Sequence, residues 1–265
     1  MQEIIQQTLK QIEKDHQIAL LYACEAGSRS TGLASAQSDF DVRFIYVHPT
    51  SDYLTIDPVG TGNKRDVIET TPHPSIEFSG WELTKALRLF RKSNPSLLEW
   101  LHSPIQYVQA NSIIHAMREM LTDLFNPKAC IMHYLNMAKT NWRKIGHAEK
   151  AVTIKQLINV FRPILAAKWI QLENVFPPVN FHHLMDALIL EDSLRKELKH
   201  IVDAKTNGDP LSFPREKLEI FSPYIENALM ELTTYATSLP TQKVAVTETL
   251  DHLFRQTLQE VWGNQ

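Results

Sequence analysis

Apolar residues recur along this chain with two different periods, and the change from one to the other divides it. Over 1–16, Ile4, Ile5, Leu9 and Ile12 recur at helical spacing in a polar stretch, which predicts a helix. The unbroken apolar run 18–23 predicts a buried strand. A second follows over 39–47, where Phe40, Val42, Phe44, Ile45, Tyr46 and Val47 are apolar and Pro49 ends the run. Between them, 30–36 reads as a short helix or turn. Two shorter strands are expected over 66–70 and 75–78, separated by the turn signal Thr71-Pro72-His73-Pro74. The stretch 79–92 then predicts a helix with two unlike faces. Leu83, Leu87 and Phe90 lie on one side, and Lys85, Arg88 and Lys92 on the other. Ser79 is its expected cap, and Pro95 stops it because the residue before a proline disfavours helical angles. A further short helix is expected over 96–102.

From Ile113 onward the patterning is almost wholly helical. Helices are expected over 113–124, 128–145, 153–173, 181–186, 193–204, 223–238 and 241–261, with Asn207-Gly208-Asp209-Pro210 and Ser238-Leu239-Pro240 as breaks. No fixed-period repeat runs through them, which excludes a solenoid. The expected fold class is α+β: a small mixed sheet covered on one side by helices over 1–111, followed by a helical domain over 112–265.

Composition changes this picture in three places. Glycine is scarce, at 8 residues, so Gly27, Gly60 and Gly62 stand out. The net charge of −3 argues against a general nucleic-acid coat, but leaves room for a local basic patch. Lys139, Arg143, Lys144, Lys150 and Lys155 face only Glu149 in one such run, for which a solvated helix face is the plain explanation. Cys24 and Cys130 lack metal-ligand spacing and read as buried free thiols in a reducing cytoplasm. The polar start of the chain is unlike a secretory signal, and no apolar run reaches the roughly 18 residues needed to span a membrane. A cytoplasmic location with no membrane contact is expected. The histidines, including His182 and His183, show no zinc spacing, and Trp81, Trp100, Trp142 and Trp169 read as packing residues.

The candidate chemistry lies at the start of the second strand. Side chains alternate along a strand, so Asp39 and Asp41 share a face. Two carboxylates beside an apolar run need a partner, and hard oxygen ligands suit a divalent cation. Gly27 and Ser28 end the preceding strand where the backbone can approach a ligand closely, as a phosphate requires. A cation at one end and phosphate at the other describe a nucleoside triphosphate site. A third acid would complete it. Glu69 and Glu77 are both candidates, and Glu77 is preferred because it sits between Ile76 and Phe78 just before the basic helix. Arg29, Lys85 and Lys92 are candidates for the triphosphate or the acceptor, and a solvated helix face is the plain alternative for the two lysines. Arg162, in an apolar helix, reads more readily as a structural ion-pair residue.

Gly27-Ser28-Arg29-Ser30-Thr31-Gly32-Leu33, Ser38-Asp39-Phe40-Asp41-Val42-Arg43 and Gly80-Trp81-Glu82-Leu83 resemble the predicted nucleotidyltransferases of the DNA polymerase β superfamily. Lys92-Ser93-Asn94-Pro95, Glu99-Trp100-Leu101-His102-Ser103-Pro104 and Phe161-Arg162-Pro163 resemble, more narrowly, its bacterial branch associated with RNA repair pathways. The resemblance implies a nucleotidyltransferase fold with metal-binding carboxylates at Asp39 and Asp41, and Glu77 by position. It also implies Mg²⁺ as cofactor, a nucleoside triphosphate as substrate and an RNA end as acceptor. The competing expectation is a nucleotide- or RNA-binding protein that kept the fold and lost turnover. Neither the acceptor, the preferred base nor the oligomeric state can be read from the residues.

Overall fold

The polar N-terminal stretch forms helix α1, Gln2–His16, whose Ile5, Leu9 and Ile12 make one buried stripe. In chain order there follow β1 (Ala19–Glu25), α2 (Gly27–Ser30), β2 (Phe40–Val47), α3 (Thr50–Tyr53), β3 (Val67–His73), β4 (Ile76–Glu82), α4 (Leu83–Arg91), α5 (Pro95–Leu101), β5 (Gln106–Val108) and α6 (Ser112–Leu124). Then come α7 (Pro127–Gly146), β6 (Val152–Thr153), α8 (Ile154–Glu173), α9 (Phe181–Leu188), α10 (Asp192–Asn207), β7 (Ser212–Phe213), a 3₁₀ turn (Arg215–Ile220), α11 (Ser222–Ser238) and α12 (Thr247–Trp262). The structure, a computed structural model, describes residues 1–61, 66–146, 152–209, 212–213, 215–240 and 245–263. Gly62, Glu149, Lys150, Pro210 and the first four residues of the helix expected over 241–261 lie outside them. The α+β class holds: a mixed sheet and a helical region share the chain. Among the described residues no helix is long and apolar enough to cross a membrane.

The chain forms two compact units. One comprises Met1–Ser30, Asp39–Leu124 and Lys243–Gln265, and the other comprises Thr31–Ser38 and Phe125–Gln242. The first unit is built on a five-stranded sheet of order β3-β4-β2-β1-β5. Only β2 and β4 run parallel; the other neighbours are antiparallel. Val42, Phe44 and Tyr46 of β2, with Ile76 and Phe78 of β4, pack on the stripe of α1. Alternation sends Asp41, Arg43 and Ile45, with their register partners Glu77, Ser79 and Trp81, to the opposite face. That face is also covered, but only towards one end: Trp81 stacks on Trp100 of α5 with ring centroids 3.8 Å apart, and Tyr22 Oη donates to the Trp100 carbonyl at 2.9 Å. The sheet is therefore not covered on one side alone. Its second face is apolar at the C-terminal ends of β2 and β4 and acidic at their N-terminal ends.

Two local expectations are corrected and a third is resolved. Strand β3 continues through Thr71 and Pro72 to His73, because it is an edge strand and an edge tolerates proline's missing N–H. Ser79 does not cap a helix. Ser79, Gly80 and Trp81 pair with Arg43, Phe44 and Ile45 in the sheet, and the cap is Glu82, whose carboxylate accepts from the Thr84 and Lys85 amides. The short helix or turn expected over 30–36 is a turn, because the helix lies earlier, at Gly27–Ser30.

In the second unit, α7 and α8 contribute Cys130, Ile131, Tyr134, Leu135, Leu157, Phe161, Ile164 and Leu165 to one continuous core. Thr153 opens α8 with a capping box completed by Gln156, and Pro163 is carried inside the helix. The segment Thr31–Ser38 belongs here: Leu33 is buried in this core and the Phe181 amide donates to the Thr31 carbonyl at 2.9 Å.

Candidate active site

Asp41 and Glu77 are direct register partners across the parallel pair β2 and β4, so their side chains leave the same face of the sheet at neighbouring positions. Between them lies a cation of the chain's own. Arg43 Nη2 is 2.9 Å from Glu77 Oε1 and 3.3 Å from Asp41 Oδ1, and its Nη1 donates to the Val42 carbonyl at 3.3 Å. The pairing is graded in exposure: the side chains of Arg43, Asp41 and Glu77 are 17%, 29% and 56% exposed.

The turn after β1 closes against the same acid. Gly27 has φ of 58°, and a Cβ built on it would fall 1.9 Å from Asp41 Oδ2. Only glycine permits that approach. The Ala26 amide donates to the Asp41 carbonyl at 2.8 Å, and the Asp41 amide donates to Glu25 Oε1 at 2.7 Å. Glu25 is fully buried and also accepts from the Tyr107 hydroxyl. Desolvation pushes its carboxyl above the usual range, opposed by the Tyr107 and Asp41 hydrogen bonds. Glu25 thus anchors the backbone on both sides of the Gly27-Ser28 turn.

The structure brings Gly27, Asp41 and Glu77 together. Asp39 stands exposed just before β2, two residues from Asp41, and its carbonyl accepts from Arg29 Nε at 3.2 Å while the Arg29 guanidinium covers the Phe40 ring at 3.7 Å. Ser28 follows Gly27 within α2. Glu69 pairs with Ser79, one strand further out and two residues along, which at the spacings of a sheet puts its backbone roughly 12 Å from that of Asp41. Glu77 is the adjacent acid and Glu69 is not. Lys85 is held elsewhere: its Nζ lies 2.9 Å from Asp66 Oδ1, beyond the C-terminal end of β4. Lys92 is exposed at the end of α4. Among the described residues no three acids, histidines or cysteines stand close enough to hold an ion as they are. The Asp41–Glu77 pair nevertheless suits a divalent cation, since its hard oxygens already enclose a positive charge.

The fold and this turn-and-acid arrangement meet in one comparison. The model of the RNA repair pathway DNA polymerase beta family, RlaP, matches residues 1–256. The chain belongs to that family. A relative that also fits it end to end is "Uncharacterized protein YcgL" of Bacillus subtilis (strain 168), 38% identical over 262 residues that make up 99% of this chain and 98% of the relative. Membership of the RlaP family gives the chain a nucleotidyltransferase-like character. Two residues of this arrangement escape sequence reasoning. Arg43 reads as one more polar position on an alternating strand, and Glu25 as the polar end of an apolar run whose partner, Tyr107, lies 82 residues away.

Proposed function

We propose that this chain is a Mg²⁺-dependent nucleotidyltransferase that moves a nucleotide from a nucleoside triphosphate to a hydroxyl acceptor, an RNA end. The observation that carries the reading is the register pairing of Asp41 with Glu77 against the Gly27 turn. Asp39, Asp41 and Glu77 would hold Mg²⁺, which when bound supplies charge neutralisation at the phosphates and a more acidic acceptor hydroxyl. The chain's own part is to position. Gly27 lets the backbone reach the β- and γ-phosphates, Ser28 adds a hydroxyl there, and Arg29, steadied over Phe40, adds a positive charge. The acceptor oxygen attacks the α-phosphorus, the bond to the β-phosphate bridging oxygen breaks, and pyrophosphate leaves as the hydroxyl proton passes to solvent. Lys92, exposed at the end of α4, is left as a candidate for the triphosphate or the acceptor, whereas Lys85 is paired with Asp66. Arg143 and Lys144 are exposed on α7, whereas Lys139 is tied to Thr233 Oγ1 at 2.9 Å. The buried thiols of Cys24 and Cys130 accord with a reducing cytoplasm as the setting.

The test is transfer of label from α-³²P nucleoside triphosphates to RNA oligonucleotides in Mg²⁺, with pyrophosphate measured in parallel. Asp41→Asn and Glu77→Gln should each lower transfer by about a hundredfold or more, while Glu69→Gln leaves it unchanged. Equal loss in Glu69→Gln and none in Glu77→Gln would move the third acid to Glu69. A second reading, a non-catalytic nucleotide- or RNA-binding protein, is favoured by the Arg43 bridge, which neutralises the acidic pair without a metal. It requires nucleotide or RNA binding with no pyrophosphate release under any triphosphate.

A further inference from the structure

Two carboxylates at neighbouring strand positions repel each other, and a cross-strand pair of like charges destabilises a sheet. Here the repulsion is cancelled by Arg43, which reaches one oxygen of each acid from the same face of β2, two residues beyond Asp41. The guanidinium is the least exposed of the three groups, and it also donates to the Val42 carbonyl. Its neighbours explain why it sits there. Asp41 is placed by its backbone, whose amide donates to Glu25, and its Oδ2 faces the Gly27 backbone. Glu77, by contrast, is more than half exposed and is drawn in by the arginine.

We propose that Arg43 is a positioning residue that acts as the resident counter-cation of the acidic pair, holding Asp41 and Glu77 together until a divalent cation and a nucleotide triphosphate arrive. The inference rests on the nucleotidyltransferase reading and assigns the order of events at that site. A divalent ion alone must displace a fixed positive charge from Asp41 and Glu77, so it binds weakly. A triphosphate brings oxygens that accept the displaced guanidinium, so ion and triphosphate bind better together than apart. Reciprocity makes the coupling the same from either side: the triphosphate raises affinity for the ion by the factor by which the ion raises affinity for the triphosphate. Arg43 thereby changes roles, from bridging two carboxylates to contacting phosphate, without leaving its face of the sheet.

The experiment is Mn²⁺ binding by electron paramagnetic resonance, with and without a non-hydrolysable triphosphate analogue, in the wild-type protein and in Arg43→Gln, Arg43→Lys and Asp41→Asn. Removing a unit charge a few ångströms from the ion should tighten binding of Mn²⁺ alone by about tenfold in Arg43→Gln, and should shrink the enhancement given by the analogue by a similar factor. Arg43→Lys keeps the charge and should stay close to wild type in both. A thermal melt supplies the second readout. Metal-free Arg43→Gln should melt lower than wild type and be raised by Mn²⁺ more than wild type is, because the ion replaces the missing cation. Arg43→Gln with unchanged or weaker Mn²⁺ affinity, beside an Asp41→Asn variant that has lost it, would overturn the proposal while leaving the metal site in place. Mn²⁺ binding that Asp41→Asn does not alter would overturn the metal-site reading itself. Should Arg43→Gln fail to fold, equal coupling in Arg43→Lys and wild type supports the role, and loss of coupling in a folded Arg43→Lys counts against it.

Discussion

Gly27 is held to its identity by two independent constraints, a left-handed backbone angle of 58° and an Asp41 carboxylate that would lie 1.9 Å from any added Cβ. A left-handed L-residue costs roughly 1–2 kcal/mol before the clash is counted. Gly27→Ala should therefore lower stability by at least about that amount in urea titrations, and should push Asp41 out of place, so that calorimetry shows weakened Mg²⁺-triphosphate binding. An alanine variant with wild-type affinity would show that the close approach has no part in the site. The face that Asp41 takes on β2 could be read from the sequence because strand alternation is a property of neighbouring residues. Arg43 and Glu25 could not. What matters about them is a partner on another strand, and register is set by packing of the whole sheet rather than by any local signal.

At the scale of elements, β4 and α4 show how one pattern can hide another. The apolar residues Leu83, Leu87 and Phe90 repeat at helical spacing, and the same count carried back over Gly80 and Trp81 makes them look helical too. In the structure those residues are strand, because Gly80 sits beneath the Phe44 ring and Trp81 stacks on Trp100. A Cβ on Gly80 would come 2.0 Å from Phe44 Cε2, in a fully buried part of the sheet. Gly80→Ala should destabilise the protein by about 1–3 kcal/mol through overpacking. In a double-mutant cycle with Phe44→Leu, which makes room, the combined loss should fall clearly short of the sum of the two single losses. Strict additivity in denaturant melts would mean that the ring moves aside at no cost. The strand then ends where Glu82, fully buried, turns its carboxylate to the first amides of α4 and accepts from Tyr53 Oη at 2.6 Å. A charged residue at the junction reads as a surface position until that cap is seen.

At the scale of the whole molecule, buried protons tie stability to pH. Burial pushes the Cys24 thiol up to about 12 from a starting value of 9.0. The folded state keeps this proton after the unfolded chain has released it, so the contribution is intact below about pH 9 and is lost as pH rises from there towards 12. Between about pH 9 and 10, unfolding free energy from urea titrations should fall, with Cys24 contributing up to about 1.4 kcal/mol per pH unit beside the buried tyrosines, and Cys24→Ala should remove that share of the slope. An equal slope in the variant would place the proton elsewhere. Periodicity also predicted a terminal helix, but said nothing of where it packs. That is fixed by tertiary partners: Arg91 Nη1 donates to Thr247 Oγ1 at 3.0 Å, Ser112 Oγ donates to Glu260 at 2.5 Å, and Phe254 meets Tyr53 edge-on with ring centroids 5.0 Å apart. Because α12 belongs to the sheet-bearing unit, that unit is finished last although most of it is translated first. At roughly 5–20 residues per second, the ribosome takes on the order of ten seconds to pass from α6 to α12. During that interval the surfaces of α4 and α6 that receive α12 are exposed on the nascent chain, while the other unit is being made between them.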